Sequence, residues 1–127
     1  MSGYAFDSNI LVDILRGHPQ GRAELRRAVE LGRVWVSRMV WIEVLSKGAG
    51  EGLERASKLL SGFGVDELDA EIADRAAALR RNRPGLKSPD AVILATALVR
   101  GRLLVTRNTK DFPASMPGIR VPYSLWD

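Results

Sequence analysis

Apolar residues in this chain fall into short runs of about three, separated by longer stretches in which they recur every third or fourth position. Short runs of this kind read as buried strands, and the periodic stretches as amphipathic helices. Tyr4 to Phe6 is the first run, and Asn9 to Arg16 follows it with Ile10, Leu11, Ile14 and Leu15 on one stripe until Gly17 stops the helix. A second helix is expected from about Gln20 to Leu31, with Ala23, Ala28, Val29 and Leu31 inward, ending at Gly32 before a strand at Val34 to Val36. Ser37 is placed to cap a helix from Met39 to Leu45, and after the Lys47 to Gly50 turn another helix runs from Glu51 to Ser61. A third strand is expected near Gly64 to Leu68. Asp69 then caps a helix reaching about Arg83, broken by Pro84 and Gly85. Ser88 and Pro89 read as cap and first-turn residue of AVILATALVRG, stopped by Gly101. Leu103 to Thr106 and Ile119 to Val121 complete the strands.

Strands that alternate with helices in this way predict a parallel sheet covered on both faces, a three-layer α/β architecture. With 127 residues and 46% apolar content, one domain spanning 1–127 is expected. In such sheets, ligands bind past the carboxyl ends of the strands, where the strand order reverses. Polar residues just beyond strand ends are therefore the first candidates for chemistry.

Composition removes many kinds of chemistry. With no cysteine there is no disulfide, thiolate zinc site or cysteine nucleophile, and the single histidine, His18, rules out any site built on two imidazoles. His18 precedes Pro19 in a turn and reads as a loop residue. No segment approaches the ~20 apolar residues of a membrane span, and MSGYAFDSN lacks the features of a signal peptide, so no membrane association and a cytoplasmic location are expected. The net charge is +4, with most of the 19 basic residues arginine. Arginine suits a polyanionic partner, but the residues are scattered and fit solvated helix faces equally well. Any catalysis here falls to carboxylates.

Asp7, Ser8 and Asn9 stand immediately after the first strand, where Asp7 or Ser8 would also serve as a helix cap. Glu43 interrupts the apolar run VWIEVL, and burying it without a partner would be costly. Asp90 lies in the first turn of a mostly apolar helix, a position the helix dipole favours. Thr106, Asn108 and Asp111 follow the fourth strand in TRNTKDF, where Asn108 and Asp111 could equally shape a turn. Each acid alone has a structural explanation. Together, Asp7, Glu43, Asp90 and Asp111 fit a site for hard cations, since Mg2+ and Mn2+ prefer carboxylate oxygen and can support phosphodiester cleavage. Lys87, Arg107 and Lys110 adjoin the acidic loops and are candidates to hold a nucleic-acid backbone, although solvent-facing duty suits each as well. Asp13, further along the first helix, reads as a solvated or salt-bridged residue facing elsewhere.

The strings FDSNILVDILRG, SRMVWIEVL, SPDAVILATALVRGRLLVTRN and TKDF, in this order and spacing over nearly the whole chain, resemble the PIN domain family and, within it, the VapC-like toxins of toxin-antitoxin pairs. The resemblance implies a parallel sheet ordered 3-2-1-4-5 and a Mg2+-dependent endoribonuclease, with Mn2+ able to substitute. It maps the family's acids onto Asp7, Glu43, Asp90 and Asp111, which would hold the metal and carry catalysis. Ser8, Asn9, Thr106 and Asn108 fall on its supporting polar positions. Some relatives carry an acid where this chain has Asn108, whose amide could be a ligand or could orient a neighbouring carboxylate. The resemblance further implies an RNA substrate, a cognate antitoxin and a homodimer.

Three other readings fit less well. A phosphoreceiver domain would need paired acids after the first strand, an acceptor Asp after the third and a Lys after the fifth, where this chain runs into Pro122 and Tyr123. A haloacid-dehalogenase-like phosphatase would need D-x-D, and the third position of that motif, begun at Asp7, is Asn9. A nuclease-inactive RNA- or protein-binding module on the same fold is the nearest alternative, and the four intact acids argue against it. Trp35, Trp41 and Trp126 are candidates for partner contacts, with core burial the simpler account of Trp41.

Overall fold

The computed structural model describes residues 3–125; Trp126 lies outside them. Eleven elements alternate along the chain: β1 (Tyr4–Phe6), α1 (Ser8–Leu15), α2 (Pro19–Leu31), β2 (Val34–Ser37), α3 (Arg38–Leu45), α4 (Glu51–Leu60), β3 (Gly64–Asp66), α5 (Ala70–Asn82), α6 (Ser88–Arg100), β4 (Leu103–Val105) and β5 (Ile119–Arg120). All strand pairings are parallel, in the order β3-β2-β1-β4-β5. The chain steps outward from β1 to β3, then doubles back to β4. This order makes the β1–β4 boundary the point where strand order reverses.

The central strand explains the first apolar run, since Tyr4, Ala5 and Phe6 are all buried between neighbours on both sides. Phe6 meets Phe63 edge-on, with ring centroids 5.6 Å apart. Ser37 and Asp69 cap α3 and α5 as expected, accepting from the amides of Val40 at 3.1 Å and Ile72 at 2.9 Å. Gly101 stops α6 in the left-handed region, at φ 71°. Among the described residues, no helix is long and apolar enough to cross a membrane.

Several local expectations require correction. On α2, Val29 and Leu31 are 57% and 62% exposed, and Ala23 also faces outward. Ala28 is inward as expected, and Gly21 and Glu24 share its face. Gly21 lets α2 close onto α1, because a Cβ there would lie 3.1 Å from Ile14 Cγ1. Glu24 tolerates burial because its carboxylate accepts two-pronged bonds from Arg27 and Arg120. The cap of α6 is Lys87, and Ser88 and Pro89 are already helical; Pro89 has no N–H to leave unsatisfied in a first turn. β3 ends at Asp66, whose carboxylate turns to the guanidinium of Arg102 at 2.8 Å.

Trp35 and Trp41 are half-buried beneath arginines: Arg102 and Arg33 lie 3.8 and 4.8 Å from the Trp35 ring, and Arg38 4.8 Å from that of Trp41. Gly64 sits directly beneath Trp35, where a Cβ would come within 2.4 Å of the ring.

Candidate active site

The site grows from the ends of β1 and β4, which lie side by side with Phe6 opposite Val105. Asp7 follows β1 in extended conformation and caps α1, its Oδ1 accepting from the Ser8 amide at 2.8 Å. The cap role and the site role thus fall on one residue. Its Oδ2 accepts from the Thr106 hydroxyl at 2.7 Å and from Asn9 Nδ2 at 3.3 Å. Burial pushes the Asp7 carboxyl above its ordinary value, the Glu43 charge adds to this, and the bonds from Thr106 and Ser8 oppose it.

Thr106, fully buried just past β4, is the hub between the two strand ends. Besides donating to Asp7, its hydroxyl oxygen accepts from Asn9 Nδ2 at 3.3 Å and from the Asn108 amide at 3.0 Å. Asn108 in turn forms a reciprocal pair with Asp111: its Nδ2 donates to Oδ2 at 2.9 Å, while its Oδ1 accepts from the Asp111 amide at 3.2 Å. The Asn108 side chain therefore orients Asp111. Phe112, fully buried, anchors the loop, and its amide donates to the Asn108 carbonyl at 3.0 Å.

Glu43 reaches the site from α3, where its Oε1 accepts from the Ser8 hydroxyl at 3.0 Å. Asp90 comes from the first turn of α6. Its carboxyl is pushed up from 3.8 to about 6, first by burial and then by the charges of Asp111, Asp7 and Glu43, with a hydrogen bond to Asp111 contributing. Asp90 thus senses the other three acids, and Asp7 senses Glu43.

Among the described residues, six ion pairs join arginines to carboxylates elsewhere, on Glu24, Glu67, Asp69, Asp66 and Asp13, and none of these reaches the four acids. Among the described residues, no three of the acids converge closely enough to bracket an ion where they stand. The donor set nonetheless suits a hard divalent cation: all oxygen, acidic, and without an ion pair to any cation among the described residues.

The three expected backbone-binding cations separate. Lys87 and Lys110 are exposed beside Asp90 and Asp111. Arg107 pairs its guanidinium with Asp13, Nε to Oδ2 at 2.6 Å and Nη2 to Oδ1 at 3.0 Å. Asp13 is accordingly the salt-bridged residue of the two possibilities, and it is buried. Tyr123, to which sequence reasoning gave no role, donates its hydroxyl to Asp13 Oδ2 at 2.7 Å. No periodic or motif signal marked it, because its partner is 110 residues away.

A parallel α/β domain that gathers acids at its switch point sets them where ligands bind in such sheets. The chain belongs to the PIN domain family, whose pattern matches residues 4–114. Among solved structures it is similar to a toxin-antitoxin complex from Klebsiella pneumoniae, with 37% identity over 96% of this chain and 99% of that chain and a TM-score of 0.80. The fold is also that of VapBC2 from Rickettsia felis bound to a promoter DNA fragment, at 21% identity over 91% and 94% of the two chains and a TM-score of 0.78. DNA-bound VapBC from Salmonella typhimurium shares it at 23% identity over 94% and 96%, with a TM-score of 0.73. No curated protein matches the chain.

Proposed function

We propose that this chain is a metal-dependent endoribonuclease, the toxin of a toxin-antitoxin pair, working in the cytoplasm as a homodimer. The observation that carries the reading is the cluster of Asp7, Glu43, Asp90 and Asp111, in which the charges of the other three raise Asp90, while the ion-paired acids found among the described residues lie elsewhere. A fold gains nothing from such repulsion. Asp7 and Asp90 are the main ligands for Mg2+, with Mn2+ able to substitute, and Asp111 and Glu43 complete the shell directly or through water. When bound, the ion supplies an activated water and stabilises the leaving oxygen of the phosphodiester. The protein's own part is positional. Thr106 and Asn9 orient Asp7, Asn108 orients Asp111, Ser8 steadies Glu43, and Lys87 and Lys110 hold the RNA backbone. The antitoxin silences the toxin by covering this acidic crevice.

The test is cleavage of total RNA by the purified chain with Mg2+, followed by mapping of the cut ends. Cleavage should vanish in EDTA and in Asp7→Ala and Asp90→Ala, and expression without antitoxin should arrest growth only for the wild type. Equal toxicity of wild type and both variants, or full cleavage in EDTA, would overturn the reading. RNA binding without any cleavage would instead favour a nuclease-inactive binding module.

A further inference from the structure

Arg107 stands between two residues of the site, Thr106 and Asn108, and is held at both ends. Its guanidinium grips Asp13 through two bonds, and its main-chain N–H donates to Asn9 Oδ1 at 3.1 Å. Asp13 is locked in its turn by the Tyr123 hydroxyl, delivered by the segment that follows β5. α2 closes the remaining side: a Cβ on Gly21 would lie 3.2 Å from the Tyr123 hydroxyl and 3.3 Å from Asp13 Cβ.

The Asp13 side chain in this pair is 2% exposed and that of Arg107 22%. Taking a carboxylate out of water is expensive, and an apolar pair of similar volume would hold α1 to the β4 loop at least as well. What an apolar pair could not do is fix direction. The two-pronged fork sets the Arg107 side chain, and through it the peptide whose N–H orients Asn9. Asn9 then presents Nδ2 to Asp7 Oδ2 and to Thr106 Oγ1, both at the long distance of 3.3 Å. Bonds that long depend on how the Asn9 amide is held from its other end.

We infer that Asp13, Arg107 and Tyr123 form a positioning brace that acts through Asn9 and the loop after β4 to set the orientation of Asp7 and Asp111. The inference rests on the nuclease reading for its consequence, while its structural half stands apart from activity. The brace residues touch neither the RNA nor the metal. Tyr123 ties the C-terminal segment to the acids, so the chain beyond β5 is part of the site's support.

Two measurements on Asp13→Asn, Arg107→Lys and Tyr123→Phe test this. In amide hydrogen exchange without metal, the Arg107 and Asn108 amides should exchange at least tenfold faster in Asp13→Asn and Arg107→Lys, with amides of β1 and α6 unchanged. Tyr123→Phe, which keeps the ion pair and the ring, should show a smaller change in the same direction. In RNA cleavage, kcat should fall tenfold or more in Asp13→Asn and Arg107→Lys while KM changes less than threefold, and the double variant should be no worse than the poorer single. Unchanged exchange at Arg107 and Asn108 would overturn the brace whether or not the protein cleaves RNA. A rise in KM for Arg107→Lys alone, with Asp13→Asn unaffected, would also overturn it and make Arg107 a phosphate contact. If the wild type cleaves nothing but the exchange pattern appears, the brace stands and the nuclease reading fails. Should Asp13→Asn not fold, Tyr123→Phe carries both measurements.

Discussion

Replacing Asp90 with Asn separates the cost of the acid cluster from its use, because the side chain keeps its shape and can still donate to Asp111. Bringing the Asp90 carboxyl from 3.8 to about 6 sets a ceiling of roughly 3 kcal/mol on its ionisation cost in the folded state. Asp90 is half-buried and partly screened by water, so the realised cost is taken as about 1 kcal/mol. Against this stands the loss of an acid from the first turn of α6, worth about 0.3–1 kcal/mol through the helix dipole. Near pH 7.5 in EDTA, Asp90→Asn should therefore melt between the wild-type temperature and about 4 °C above it. A raised folded-state pKa means the folded protein binds more protons than the unfolded chain between about pH 4 and 6. Asp90 thus makes wild-type stability fall as pH rises through that window, and the variant should lose that part of the slope. Thermal melts from pH 4 to 8, in EDTA and in Mg2+, measure all of this. Mg2+ should raise the wild-type midpoint more than the variant's, since a ligand specific to the folded state stabilises in proportion to occupancy. A variant melting well below wild type in EDTA, with the same pH slope and the same response to Mg2+, would show that Asp90 is only a helix-start acid.

Gly64→Ala should cost about 1–3 kcal/mol in urea unfolding, because the new methyl meets Trp35 Cε3 at 2.4 Å and must displace a ring held beneath Arg102 and Arg33; a loss below about 0.5 kcal/mol would mean the ring moves freely. For Glu24, burial pushes the carboxyl up, but hydrogen bonds from Arg120 and Arg27 outweigh it and hold it below 4.5. That stabilisation is present above pH 4.5 and lost as pH falls through the depressed value, so Glu24→Gln should flatten the acid limb of the stability curve. The two arginines are about a third exposed, which reduces the cost of Glu24→Gln at pH 7 to about 2 kcal/mol by denaturation. An unchanged acid limb would show that the pair is not formed in solution.

Local chemistry alone was enough for much of this fold. Three-residue apolar runs can bury both faces only inside a parallel sheet, and Ser37, Asp69 and Gly101 mark helix ends because capping depends on a residue and its near neighbours. The four acids stood out as candidates by the same local logic: Asp7 and Asp111 follow strands, Asp90 lies in the first turn of α6, and Glu43 interrupts an apolar run where a carboxylate needs explaining. The inward face of α2 was legible only at Ala28. Its apolar residues Val29 and Leu31 point to water, while Glu24 is buried, because a cation from β5, 96 residues away, satisfies its charge. The fate of Arg107 was hidden in the same way, since a basic residue beside an acidic loop looks free until the partner carboxylate 94 residues away is brought against it. Periodicity and caps are properties of neighbours in the chain and can be read along it. Whether a charge faces solvent, a substrate or a buried partner depends on which distant segments the sheet topology sets side by side, and only the tertiary structure decides that.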